Sequence, residues 1–251
     1  MNKNQYVELL PIFEDNYVFV LVDRASSSAL VVDPGESSAA IDFLTSHDLK
    51  LKGILLTHHH PDHIGGVQEL KARFSCPVYA PLKNKTQIPF ADHYVQEADS
   101  IHLAPFSFQI MELPGHTLGH VAYWEPQHQW LFSGDVLFGL GCGRLFEGSF
   151  AQAYTSLQRI KNLPPESLVF CTHEYTERNL QFCRILSSED NTPLLGNAEA
   201  LDQYASDLRT KRSQQRPSVP LVLSTEISTN PFLMAQDEEQ FRYLRELRNR
   251  Q

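Results

Sequence analysis

The sequence predicts an α/β fold followed by a helical segment, on three observations. From residue 17 to about 135 the apolar stretches are short, rich in β-branched residues and bounded by turn formers, as strands are. Segments with apolar residues three apart lie between some of them, so helices alternate with strands. After about residue 150 the apolar spacing becomes mainly helical. The 251 residues allow a main domain and a smaller one, since domains run to ~100–200 residues. The expected division is an α/β domain over 1–172 and a helical C-terminal domain over 173–251.

The elements follow in order. YVFVLV at 17–22 and ALVV at 29–32 read as strands, and Ser37–His47 as a helix, because Ile41 and Leu44 share a face. GILL at 53–56 is the next strand, and Val67 with Leu70 marks a helix over Gly66–Phe74. FQIMEL at 108–113 and WLF at 130–132 complete the strand-rich part. Ala153, Leu157 and Ile160 then mark a helix that Pro164-Pro165 ends, before the short apolar run LVFC at 168–171. Three further helices are marked by Leu180, Cys183 and Leu186, by Leu201, Tyr204 and Leu208, and by Phe241, Leu244 and Leu247. RPSVPLVLSTEISTNPF at 216–232 reads as a long loop before the last of them.

Charge and cysteine usage narrow the function. With 21 Lys+Arg against 30 Asp+Glu, a net charge of -9, the chain is not expected to grip nucleic acid, because that affinity comes from clustered basic residues. No window approaches the ~18 apolar residues of a membrane span, and the N-terminus lacks a basic segment followed by an apolar run. The four cysteines have no CxxC spacing, so reduced thiols and a cytoplasmic location are expected.

The residues that carry chemistry begin directly after GILL, in Thr57-His58-His59-His60-Pro61-Asp62-His63-Ile64-Gly65-Gly66. In an extended segment, positions i and i+2 point to one side, so His58 and His60 can approach one metal while His59 points away. Asp62 and His63 can turn towards a second, Pro61 suits the first turn of a helix, and Gly65-Gly66 allows close backbone approach behind the ligands. Further candidates recur at strand ends: Gly115-His116-Thr117-Leu118-Gly119-His120, Ser133-Gly134-Asp135 and Thr172-His173-Glu174. Four loops presenting ligands at strand ends describe a metal site at a sheet edge.

These motifs, with VVDPGE at 31–36, stand in the order of the metallo-β-lactamase superfamily, which the chain closely resembles over about residues 5 to 175. The resemblance implies a four-layered αββα sandwich with two divalent metals at one edge. It implies that one metal takes His58, His60 and His116, that the other takes Asp62, His63 and His173, and that Asp135 bridges both. His120 is left to a supporting role, and Asp33, in the VVDPG turn, to orienting the loops. Imidazole and carboxylate donors without thiolate suit zinc first, with iron or manganese also fitting. Two metals ~3.5–4 Å apart can share a hydroxide and polarise a carbonyl, so hydrolysis is the natural chemistry.

GLGCGRLFEGS at 139–149, His173-Glu174-Tyr175-Thr176 and the terminal LRELRNR extend the resemblance over nearly the whole chain, to the glyoxalase II (hydroxyacylglutathione hydrolase) family. That resemblance implies hydrolysis of the thioester S-D-lactoylglutathione to D-lactate and glutathione, the second step of methylglyoxal detoxification. The metal-bridged hydroxide held by Asp135 is the implied nucleophile. A thiolate leaves readily because its conjugate acid has a pKa of only ~8.5, so no dedicated general acid is required. Arg144, Tyr175, Arg245 and Arg248 match the family's glutathione-binding positions, and arginine suits the glycyl carboxylate. Phe146 departs from the pattern, since it stands where family members often have tyrosine. The competing readings are a persulfide dioxygenase or another hydrolase of the fold, such as a lactonase. The terminal arginines with CGRLFEG argue against the lactonase, and the helical tail with its terminal arginines argues against the dioxygenase. The expected partner is therefore a small glutathione thioester, with no nucleic acid and no membrane, and the protein is expected to be a monomer.

Overall fold

In the computed structural model, which describes residues 4–188 and 198–251, the chain packs as two compact units. The first comprises Met1–Glu112 with Gly119–Gly134, and the second Leu113–Leu118 with Asp135–Gln251. The 172/173 position lies inside the second unit.

In the first unit, β1 (Gln5–Ile12), β2 (Asn16–Asp23) and β3 (Ser28–Val32) run antiparallel. The chain then crosses through α1 (Ser38–Ser46) to β4 (Lys50–Leu55), which lies parallel to β3. Parallel pairing needs such a crossover. A short α2 (Pro61–Ile64) and α3 (Val67–Phe74) lead to β5 (Val78–Pro81) and β6 (His93–Val95), both again parallel, completing the order β1-β2-β3-β4-β5-β6. A second set, β7 (Ser100–Leu103), β8 (Phe106–Glu112), β9 (Val121–Glu125) and β10 (Trp130–Gly134), is an antiparallel meander. Val18, Val20 and Val31 face Leu44, Ile54 and Leu70 in a closed core. Each such leucine or isoleucine contributes roughly 1.5–3 kcal/mol through burial.

The consequence for function is positional. β4 ends at Leu55, so the histidine run begins where the sheet stops, and Pro61 starts α2.

The second unit is mainly helical. A minimal hairpin of β11 (Leu137–Phe138) and β12 (Gly141–Cys142) precedes α4 (Phe150–Lys161), β13 (Leu168–Cys171), α5 (Thr176–Ser188) and α6 (Ala198–Ser213). β14 (Leu221–Val222) pairs antiparallel with β13, and α7 (Leu223–Thr229), α8 (Pro231–Met234) and α9 (Glu238–Asn249) follow. α4 is capped reciprocally, with Gln152 N donating to Ser149 Oγ and Ser149 N to Gln152 Oε1. Such a cap is worth ~1 kcal/mol. Leu140, Leu180, Cys183, Ala205 and Leu208 form the core between α5 and α6.

Two features depart from the sequence expectation. β1 was not marked by periodicity: it pairs with β2 alone at the end of the sheet, and most of its residues are half-buried. The loop expected over 216–232 is instead β14, α7 and α8. LSTEIST is poor in strong helix formers, and its helix is held by burial of Leu223, Glu226 and Thr229, a tertiary term that overrides propensity.

Candidate metal centre

In the first unit four of the expected ligands meet on one short stretch. The His58 ring lies 4.6 Å from that of His60 and 4.0 Å from that of His63. His59 turns instead to the side-chain amide of Asn84, at 3.1 Å. His63 Nε2 is 3.7 Å from Asp62 Oδ2, and Asn16 Nδ2 donates to that same oxygen at 2.9 Å. His58 and His63 are buried, whereas His60 and Asp62 keep partial exposure, as ligands facing a substrate would.

Asp33 is the organising residue behind them. It sits in left-handed backbone at φ 49°, and its carboxylate accepts from Thr57 N at 2.8 Å, Thr57 Oγ1 at 2.6 Å and His63 Nδ1 at 3.0 Å. A donating Nδ1 leaves His63 Nε2 as the lone-pair nitrogen that a metal requires. The glycine pair lets the VVDPGE loop close on the ligand turn: a Cβ on Gly66 would lie 2.3 Å from the Glu36 carbonyl carbon. His120 is buried and stacks on His58 with centroids 4.9 Å apart.

In the second unit Asp135 stands between two histidines. Its Oδ2 lies 3.4 Å from His116 Nε2 and 3.4 Å from His173 Nε2. All three residues are buried. His116 Nδ1 donates to the Arg144 carbonyl at 2.7 Å, so Nε2 again carries the lone pair. The His173 ring stacks on Tyr175 at 4.7 Å and 6°, and meets Phe138 edge-on at 5.8 Å. Glu174, next along, is turned away to accept from Ser218 N at 2.8 Å.

The donor chemistry fits divalent metals. Imidazole nitrogens with their other nitrogen tied to a carboxylate or carbonyl, together with carboxylates, form the usual set for zinc, iron or manganese.

Comparison with known proteins agrees with this chemistry. The family model described as the metallo-β-lactamase superfamily matches residues 13–173, and that described as the hydroxyacylglutathione hydrolase C-terminus matches residues 174–251. A hydroxyacylglutathione hydrolase of Bdellovibrio bacteriovorus is 64% identical over 251 residues, 100% of both chains. The chain belongs to the hydroxyacylglutathione hydrolase family of the metallo-β-lactamase superfamily. Among solved structures, ETHE1 from Myxococcus xanthus superposes with a TM-score of 0.71 at 23% identity, over 96% of this chain and 90% of that one, a likeness of fold. TTHA1623, solved in a di-iron-bound form, is 26% identical with a TM-score of 0.57, over 67% of this chain and 91% of its own. The expected α/β sandwich with a helical C-terminal segment is therefore the fold, and two divalent metals fit its ligands.

The four substrate-binding candidates of this family member all lie in the second unit. The Arg144 side chain is exposed, with its guanidinium 5.8 Å from the centre of the Phe146 ring, while its carbonyl holds His116. Phe146 itself is 62% exposed and meets His116 edge-on at 5.2 Å. Tyr175 is half-buried, with the Arg178 guanidinium 6.0 Å from its ring. Arg245 is only 6% exposed; it lies 5.3 Å over Phe232, donates from Nη1 to the Cys142 carbonyl at 2.9 Å, and has no hydrogen-bond partner at Nε among the described residues. Arg248 donates to Asn179 Oδ1 at 3.4 Å. Burial, reinforced by the charges of Arg245 and Arg178, holds its guanidinium below the usual arginine range.

Sequence reasoning missed Asn16, Asn84, Asn179, Glu226 and Asn230. Each is a single polar residue in an ordinary context. Only burial, at 6%, 2%, 6%, 1% and 0% exposure, distinguishes them.

Proposed function

We propose that this hydroxyacylglutathione hydrolase holds two divalent metals on the residues described. One is held by His58, His60 and His116, the other by Asp62, His63 and His173, with Asp135 shared. Zinc is the first choice, and iron or manganese suits the same donors. The reaction is hydrolysis of S-(2-hydroxyacyl)glutathione, chiefly S-D-lactoylglutathione, to D-lactate and glutathione, the second step of methylglyoxal detoxification. The observation that carries the reading is the Asp135 carboxylate oxygen equidistant from His116 and His173, in a chain whose C-terminal part matches the hydroxyacylglutathione hydrolase C-terminus.

When bound, a metal pair lowers the pKa of shared water from ~15.7 towards ~7 and polarises a carbonyl, supplying the chemistry of acyl transfer to water. The chain's own residues do the rest. Asp33 and the Arg144 carbonyl hold His63 and His116 in the ligating tautomer. Arg245 and Arg248 are assigned the glycyl carboxylate of glutathione, supported by their place in the segment that matches the hydroxyacylglutathione hydrolase C-terminus and by the positive charges of Arg245 and Arg178 around Arg248. Tyr175 and Arg144 are assigned the remaining glutathione contacts. Glutathione departs as a thiolate, whose conjugate acid has a pKa of only ~8.5, so no protein acid is required at the leaving group.

A persulfide dioxygenase or lactonase reading is not favoured, because residues 174–251 match a hydroxyacylglutathione hydrolase segment. The four cysteines are buried, and burial raises their thiol pKa values, to about 11 for Cys76 and about 12 for Cys183. We assign a cytoplasmic monomer on these inert thiols and the small substrate. No helix among the described residues is long and apolar enough to cross a membrane.

The test is incubation of purified, metal-loaded protein with S-D-lactoylglutathione. Loss of thioester absorbance with equimolar D-lactate and free thiol is expected. Absence of both from a fully metallated sample refutes the substrate.

A further inference from the structure

The hairpin that follows Asp135 has two residues per strand, too few to hold itself. Its backbone groups are taken by buried side chains from four distant helices. Asn179 on α5 donates from Nδ2 to the Gly139 carbonyl at 2.9 Å. Asn230, at the start of α8, donates from Nδ2 to the carbonyls of Phe138 and Gly141, each at 3.0 Å. Arg245 on α9 takes the Cys142 carbonyl. Leu140 N donates to Glu226 Oε2 on α7 at 2.8 Å.

Glu226 is the hub of this collar. It is 1% exposed, and its three partners all donate: Leu140 N and Asn230 Nδ2 at 3.0 Å to Oε2, and the Tyr204 hydroxyl at 2.7 Å to Oε1. The main chain it grips cannot relax easily. Leu140 lies in left-handed backbone at φ 56°, and a Cβ on Gly141 would come within 2.3 Å of Asn179 Nδ2. The hairpin connects two parts of the ligand set. Asp135 leads into it, Gly143 N returns to the Val136 carbonyl at 3.1 Å, and the next residue, Arg144, gives its carbonyl to His116 Nδ1.

We propose that Glu226 and Asn230 are positioning residues for the metal centre. By fixing the 137–142 hairpin, they set the aim of the Asp135 carboxylate and the His116 imidazole, although neither touches metal or substrate. This inference rests on the ligand assignment proposed above.

The test compares Glu226→Leu, Glu226→Gln and wild type by metal titration of the metal-free full chain, by the visible spectrum of the cobalt(II)-substituted protein, and by kcat and KM. Thermal melting of the metal-free protein is the stability control. Glu226→Leu is expected to weaken metal binding by about 10–100-fold, as groups that orient ligands do, to alter the cobalt spectrum, and to lower kcat with little change in KM. Glu226→Gln should restore most of this, because its amide oxygen can accept from Leu140 and Asn230 while its NH2 donates to the Tyr204 oxygen. A Glu226→Leu protein with a lower melting temperature but unchanged metal affinity and cobalt spectrum overturns the proposal. If Glu226→Leu does not fold, Asn230→Ala is measured instead, and unchanged affinity and spectrum there overturn it equally. Failure of wild type to hydrolyse S-D-lactoylglutathione would refute the substrate alone, since affinity and cobalt spectrum are read without substrate.

Discussion

The two units build their proposed ligands by opposite means. In the first, His58, His60, Asp62 and His63 fall within six consecutive positions after one strand, and Asp33 ties that turn down with three hydrogen bonds. In the second, His116, Asp135 and His173 come from three separated segments, and the turn after Asp135 depends on side chains as far as 103 positions away. A ligand set made within one turn is determined by local backbone geometry. One made by dispersed segments is only as accurate as the packing between them, and single distant residues can disturb it.

The largest break is expected at the dispersed set. Asp135→Ala should abolish binding of two metals and nearly all turnover, by more than the ~100-fold typical of residues behind the ligands. Metal analysis and kcat on the same sample check this; a fully active, two-metal variant contradicts it. Asp33→Ala tests the local set, with an expected loss of about 10–100-fold in activity or metal affinity. Because Asp33 serves His63 and Thr57 together, the loss should exceed that of Thr57→Val, and equal effects would show that the carboxylate has no role beyond the threonine.

A smaller effect separates substrate contact from metal support. Arg248→Gln should raise KM for glutathione thioesters about tenfold and leave kcat nearly unchanged, since a hydrogen bond to a charged group is worth ~1.5–3 kcal/mol. An unchanged KM would remove Arg248 from the substrate site. The smallest effect is on stability. Burial holds the Glu226 carboxyl above its ordinary value of 4.5, against the donors Leu140, Tyr204 and Asn230 and the Lys211 charge, which pull it down; Cys171 and Cys183 lie nearby. The folded state therefore keeps this proton to higher pH than the unfolded chain. Wild-type stability relative to Glu226→Gln should fall as pH rises from 4.5 through the folded pKa, in urea melts of metal-free protein. A difference that is flat with pH would contradict the raised pKa.

The same contrast explains what the sequence made legible. The histidine run could be read because strand, proline and glycine pair occupy ten successive residues whose local geometry has few alternatives. Helices α1 and α3 were readable from their apolar spacing, and they fall at Ser38–Ser46 and Val67–Phe74. α7 was not, because its serines and threonines favour no helix and its stability comes from burial of Leu223, Glu226 and Thr229. With that helix went Glu226 and Asn230. A lone glutamate or asparagine in a turn-rich stretch carries no signal of its own, and only its hydrogen bonds to Leu140, Phe138 and Gly141 give it a role.

The central claim is a thioester hydrolase that needs two metals, and stoichiometric reconstitution tests it most directly. Metal-free protein would be titrated with zinc while hydrolysis of S-D-lactoylglutathione is followed. The account predicts turnover that rises to its plateau at two equivalents per chain. Full turnover at one equivalent, or none at two, would contradict it.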